Sequence, residues 1–193
     1  AYGYATIEAL KRGGNVWAID LEKRHLDELR HNVPEDLQSK LICKVGHFPK
    51  EVELPQSAFD GILMSKVLLF FGADEIDAVF CAVHASLKVG GCFYVTSPSP
   101  LRKSLEIYRS QYDTQKKRGD VWPGRVFDYT MKFPIQKGQL PDELQFIDQE
   151  SLSLGLSRSG FKVSESGYWP LNDQQRREAF DVVYAIAVKT EAQ

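Results

Sequence analysis

The sequence lacks the features that mark disulfide-stapled, membrane-spanning or nucleic-acid-coating proteins. It holds three cysteines in 193 residues, Cys43, Cys81 and Cys92. An odd number at wide spacing builds neither a disulfide framework nor a zinc site, so reduced thiols packed within apolar segments are expected and no metal ligands are assigned. The longest apolar run, GILMSKVLLFF, is broken by Ser65 and Lys66 and falls short of the ~20 residues that span a bilayer. Charge of one sign is also missing: 24 basic against 26 acidic side chains leave a formal charge of −2. No global positive field draws the chain to phosphate polymers, so nucleic acid is disfavoured as a partner. There is no HExxH pair, Walker lysine or Ser/His/Asp set, and no repeat or low-complexity tract. A soluble, cytoplasmic protein is the expectation.

What is present is alternation. Apolar residues mixed with Glu8, Lys11 and Arg12 over 4 to 12 predict a short helix that Gly13 and Gly14 stop. NVWAID then reads as a buried parallel strand, and LEKRHLDELRHNVP as a helix ended by Pro34. KLICKV and FDGILMS predict two more strands, and ADEIDAVFCAVHASLKVGG a helix stopped by Gly90 and Gly91. CFYVTS is a further strand, and FKVSESGYWP and FDVVYAIAVK are a closing antiparallel pair after a helix that ends at Gly160. Strands alternating with helices at this interval define an α/β chain with a mostly parallel sheet covered on both faces. With 43% apolar residues, the whole of 1 to 193 is expected to form one domain. Residues 98 to 146, rich in aromatics, prolines and basic side chains, are expected to be an insertion with one helix near 101 to 117.

The chemistry gathers at the carboxyl ends of the first strands. A turn into a helix exposes free backbone N–H groups, and Gly3 admits a conformation or approach that a side chain blocks. Asp20, at the tip of the next strand, can accept both hydroxyl protons of a ribose.

AYGYATIEALKRGGNVWAID resembles the later part of the first motif and all of the second motif of the class I S-adenosylmethionine-dependent methyltransferases. The likeness puts Ala1 at that motif's second glycine and Gly3 at its third, which implies that the family's first strand lies upstream of Ala1 and that this chain alone binds the cofactor weakly. CKVGHFPKEVELPQSAFDGILMSKVLLFF is similar to the family's passage through its third and fourth strands, with LPQSAFD intact at 54 to 60. LKVGGCFYVTS is similar to its fifth strand, and the closing pair to its antiparallel edge.

The resemblance implies a Rossmann-like fold, S-adenosylmethionine as cofactor and S-adenosylhomocysteine as product. It implies cofactor contacts from Ala1, Tyr2, Gly3, Asp20 and Leu21, from His47 at the position of the adenine-reading acid and Phe48 beside it, and from Ser65, Lys66 and Val67. Such a transfer depends on alignment and exclusion of water, so no catalytic base is assigned. SKVLLFF replaces the Asn/Asp-Pro-Pro-aromatic stretch of base-amino methyltransferases, which lowers the case for nucleobase amino groups. Acceptor choice is expected in the insertion, where Tyr108, Tyr112, Trp122, Phe127, Tyr129 and Phe133 can cover an uncharged or planar substrate. His25 and His31 are expected to face solvent or pack on their helix.

Two other readings stand beside this one. Tyr112 and Lys116 spell Tyr-x-x-x-Lys after Ser97 and Ser99, the pattern of a short-chain NAD(P)-dependent oxidoreductase. A cofactor-binding protein that has lost transfer activity fits the departures at Ala1 and His47.

Overall fold

The computed structural model describes residues 3–169 and 180–191. Ala1 and Tyr2, both expected at the cofactor, lie outside the described residues. The chain forms two compact units, residues 1–54 and 55–193.

In the first unit, α1 (Tyr4–Lys11), β1 (Val16–Asp20), α2 (Lys23–Asn32) and β2 (Leu41–Val45) follow in order. The two strands are parallel, in register from Val16 opposite Leu41 to Asp20 opposite Val45. Leu10 of α1 and Leu26, Leu29 and Val33 of α2 are buried together, with Val16, Ala18 and Leu41 packed against them. Burying a leucine stabilises by roughly 1.5–3 kcal/mol, so this small cluster holds both helices to the strand pair. Gly13, at φ 92°, turns the chain out of α1 as expected. Pro34 follows α2, whose last carbonyls bond the Val33 N–H.

The second unit opens with β3 (Phe59–Ser65), α3 (Ala73–Ser86) and β4 (Leu87–Pro98), and closes with α6 (Gln149–Arg158), β7 (Phe161–Trp169) and β8 (Val182–Lys189). Between them lie α4 (Arg109–Arg118), the two-residue strands β5 (Arg125–Val126) and β6 (Leu144–Gln145), and α5 (Tyr129–Lys132). The four-stranded sheet runs β3-β4-β8-β7, with β3 and β4 parallel and the two remaining pairings antiparallel. It is therefore mixed, and the closing antiparallel pair stands where the sequence puts it. Phe93, Val95, Val183, Ala185 and Ala187 alternate along β4 and β8 as one buried face.

Two expectations are corrected here. The third helix ends at Ser86 rather than at Gly90 and Gly91, because its last carbonyls are taken by the entering chain: Ser57 N–H donates to Ala85 O and Ala58 N–H to Ser86 O. Leu87 is already extended and paired with Phe59. Gly91 serves an irregular point of that pairing, where a Cβ would stand 2.8 Å from Lys88 O and 3.1 Å from Phe59 O. The cysteines are free, and Cys43 packs half-buried against the first unit's core, but Cys81 is exposed on α3 rather than packed and Cys92 is half-buried.

The insertion is more ordered than its composition suggests. A 3-10 turn over Lys103–Tyr108 leads into α4, and Leu105, Tyr108, Val126, Leu144 and Phe146 form a core of their own with Leu69. Arg125 ties it down: Nη1 donates to Phe71 O at 2.6 Å, and its own carbonyl accepts from the Gln111 and Gln115 side-chain amides.

Candidate functional site

In the first unit the sequence-predicted residues fall at the carboxyl ends of β1 and β2. Asp20 closes β1, and its carbonyl accepts the Gly46 N–H at 3.1 Å, which places His47 and Phe48 immediately beyond the paired strand ends. The Asp20 carboxylate is fastened at one oxygen. Oδ1 accepts the Glu22 N–H at 2.9 Å and lies 3.2 Å from His25 Nδ1. Oδ2 meets no donor among the described residues. A carboxylate with one oxygen held and the other open can accept from a diol, and this acceptor fits the ribose hydroxyls of S-adenosylmethionine. Leu21, beside it, is exposed.

Gly3 precedes α1 at φ 77°, in the left-handed region where glycine is favoured. The close approach its small size permits is to α2: a Cβ there would meet Leu29 Cδ1 at 2.1 Å. The His47 N–H donates to Glu51 Oε2 at 2.8 Å. A carboxylate thus stands at this turn although position 47 is not acidic. Sequence reading missed Glu51, because a bond from four residues on depends on the shape of the turn.

In the second unit, Ser65, Lys66 and Val67 leave the carboxyl end of β3. Ser65 Oγ is 3.1 Å from Thr96 Oγ1, and the Lys66 N–H donates to Thr96 O at 2.8 Å. Lys66 has φ 58°, a left-handed conformation that costs a lysine energy and bends the chain off the strand at the sheet edge. Val67 is partly exposed beyond it.

The aromatic residues of the insertion are engaged largely in packing. Tyr108, Tyr112 and Trp122 are 6%, 5% and 4% exposed. Tyr129 and Phe133 meet at a tilt of 36°, their ring centroids 4.8 Å apart, against the insertion core, while Phe127 is exposed. Trp122 Nε1–H donates to Asp77 Oδ1, and Arg158 lies over the ring. Tyr108 and Trp122 are buried in packing contacts and Tyr129 is half-buried against them. Their apolar rings satisfy the core of the insertion first.

Tyr112 lines an open cleft of about 380 Å³ together with Leu101, Lys116, Asp148, Glu150 and Tyr168. Asp148, 1% exposed, caps α6 through the Ser151 N–H at 2.8 Å and accepts the Tyr112 hydroxyl at 2.9 Å. Burial, and then the Asp148 charge, push the Tyr112 hydroxyl well above the ordinary tyrosine range. For Lys116, burial works to lower the ammonium, but its bond to Glu150 at 2.6 Å and the Asp148 charge outweigh this and raise it. The Tyr-x-x-x-Lys pair thus holds its protons in an internal network. Ser97 and Ser99 are fully buried, and Ser99 Oγ accepts the Leu101 N–H. The arrangement of a proton-donating oxidoreductase triad is not present.

Comparison with known proteins agrees with this geometry. The family model described as "Methyltransferase domain" matches residues 1–91. No curated protein matches the sequence. Among solved structures, an S-adenosylmethionine-dependent methyltransferase from Mesorhizobium loti superposes with a TM-score of 0.72 at 16% identity, over 97% of this chain and 87% of its own. The 1,6-didemethyltoxoflavin-N1-methyltransferase of Burkholderia thailandensis, with 1,6-didemethyltoxoflavin and S-adenosylhomocysteine bound, matches at 0.66 and 18% identity over 99% and 68%. A geranyl diphosphate C-methyltransferase from Streptomyces coelicolor matches at 0.66 and 12% over 98% and 70%. Residues 1–91 match the methyltransferase-domain model, and the chain shares its fold with these S-adenosylmethionine-dependent methyltransferases. Among the described residues, no helix is long and apolar enough to cross a membrane.

Proposed function

We propose that this protein is an enzyme that transfers the methyl group of S-adenosylmethionine to a small-molecule acceptor. The observation that carries the cofactor assignment is Asp20, a carboxylate at the end of β1 with one oxygen fastened and one open. It receives the ribose hydroxyls. Within the first unit Gly3, Leu21, His47 and Phe48 are assigned to the cofactor with Asp20; within the second unit Ser65, Lys66 and Val67, at the carboxyl end of β3, are assigned cofactor contacts through their backbone groups. The cofactor supplies a methyl group on a sulfonium, already activated toward displacement. What the chain supplies is orientation and a dry site, which for a displacement reaction provide most of the acceleration. The acceptor is assigned to the insertion side. A cleft of about 380 Å³ has the size of a small-molecule site, and its polar lining of Lys116, Glu150 and Tyr168 suits an acceptor with hydrogen-bonding groups. The small molecules bound by the toxoflavin and geranyl diphosphate enzymes support this class of acceptor.

Titration calorimetry of the full-length protein tests the reading. S-adenosylhomocysteine binds and NADH does not, and Asp20→Ala weakens that binding by about tenfold or more, the worth of hydrogen bonds to a charged group. Binding of NADH alone, or an unchanged affinity in Asp20→Ala, overturns it. Methyl release on a panel of small acceptors then separates an enzyme from a silent binder.

A further inference from the structure

We propose that His25 is a positioning residue for the Asp20 carboxylate, so that the first turn of α2 helps to set affinity for the adenosyl sugar. The inference rests on the reading of Asp20 given above. Asp20 is well exposed, its side chain 37% accessible, and a single bond from the Glu22 N–H leaves an exposed carboxylate free to turn about that bond. His25 removes this freedom. Its N–H to Glu22 O bond, at 3.0 Å, winds the chain so that the imidazole leans back toward the start of α2. Nδ1 thereby reaches Asp20 Oδ1 at 3.2 Å. Two donors from different directions on one oxygen fix the plane of the carboxylate and present Oδ2 outward.

The neighbouring charges do not compete for this role. Lys23 is paired with Asp27 at 2.5 Å, and the Glu22 side chain accepts the Arg24 N–H at 3.2 Å. The bond also specifies the imidazole: Nδ1 carries the proton shared with Asp20. An exposed pair of this kind contributes little to folding. Its consequence is affinity, because a carboxylate held in its binding orientation loses less freedom when the ribose arrives.

The test is the dissociation constant of S-adenosylhomocysteine for the full-length protein and five variants, with melting temperatures recorded alongside. His25→Ala weakens binding about threefold to tenfold, the range expected for one lost hydrogen bond, at an unchanged melting temperature. His25→Asn, whose amide N–H stands where Nδ1 does, restores affinity to within about twofold, whereas His25→Gln, which reaches to the Nε2 position, does not. In an Asp20→Ala background, His25→Ala adds no further loss. If Asp20→Ala loses affinity but His25→Ala does not, the role of His25 is refuted and the Asp20 reading stands. If Asp20→Ala itself is silent, both fall. Rescue by both amides, rescue by neither, or additive losses in the double variant each overturn positioning through Nδ1.

Discussion

Gly155→Ala is the substitution whose cost can be worked most directly from the structure. Gly155 lies inside α6, where a Cβ would stand 2.3 Å from Trp122 Cη2, 2.5 Å from Cζ2 and 3.3 Å from Phe80 Cε2. Ordinary contact begins near 3.4 Å, so the indole must withdraw by roughly 1 Å. It has nowhere easy to go: Phe80 abuts the ring edge-on at 5.8 Å, Nε1–H is bonded to Asp77, and Arg158 lies over its face at 5.6 Å. Alanine gains about 0.5–1 kcal/mol over glycine in a helix interior, and overpacking of this kind loses about 1–3 kcal/mol. The net is a loss of about 1–2 kcal/mol, a fall of roughly 4 °C in melting temperature for a chain of this size. Thermal unfolding followed by circular dichroism reads it. The decisive control is Trp122→Phe, whose smaller ring lacks the two offending carbons: on that background Gly155→Ala becomes neutral or stabilising. A Gly155→Ala protein that melts higher than the parent, or one that loses the same amount on both backgrounds, refutes the claim that Trp122 anchors the insertion onto α6.

Lys66→Gly leaves stability unchanged or raises it by up to about 1 kcal/mol, while Lys66→Val lowers it, because the left-handed backbone at φ 58° strains any side chain and a β-branched one most; urea midpoints check both. Tyr112 and Tyr108 are raised above the ordinary value of 10.0, first by burial. A group raised in the fold contributes stability that is complete below its unfolded value and is lost as pH climbs above it. Stability therefore declines from about pH 10 upward, and Tyr112→Phe makes that decline shallower in urea titrations at alkaline pH; an unchanged slope contradicts the buried Tyr112–Asp148 bond.

Much of the architecture was legible in the sequence because it is written in local periodicity. Gly13, Gly14 and Pro34 stop their helices by backbone sterics alone, and alternation along 182–189 marks a strand with one buried face. Asp20 was legible for a similar reason, since the end of an apolar run bounded by glycines fixes where the carboxylate stands. Three matters were decided only in three dimensions. The end of α3 at Ser86 depended on which distant chain claimed its carbonyls, and residues 57 and 58 did so. Trp122 and Tyr112 of the insertion are buried because Asp77, Asp148 and Gly155, far off in sequence, supply their partners and a notch. His25, which the sequence leaves either facing solvent or packed on its helix, touches Asp20 because the turn between them brings its ring back. Apolar spacing records which side of an element is buried; the partner of a polar tip is set by where other segments arrive, and only the folded chain determines that.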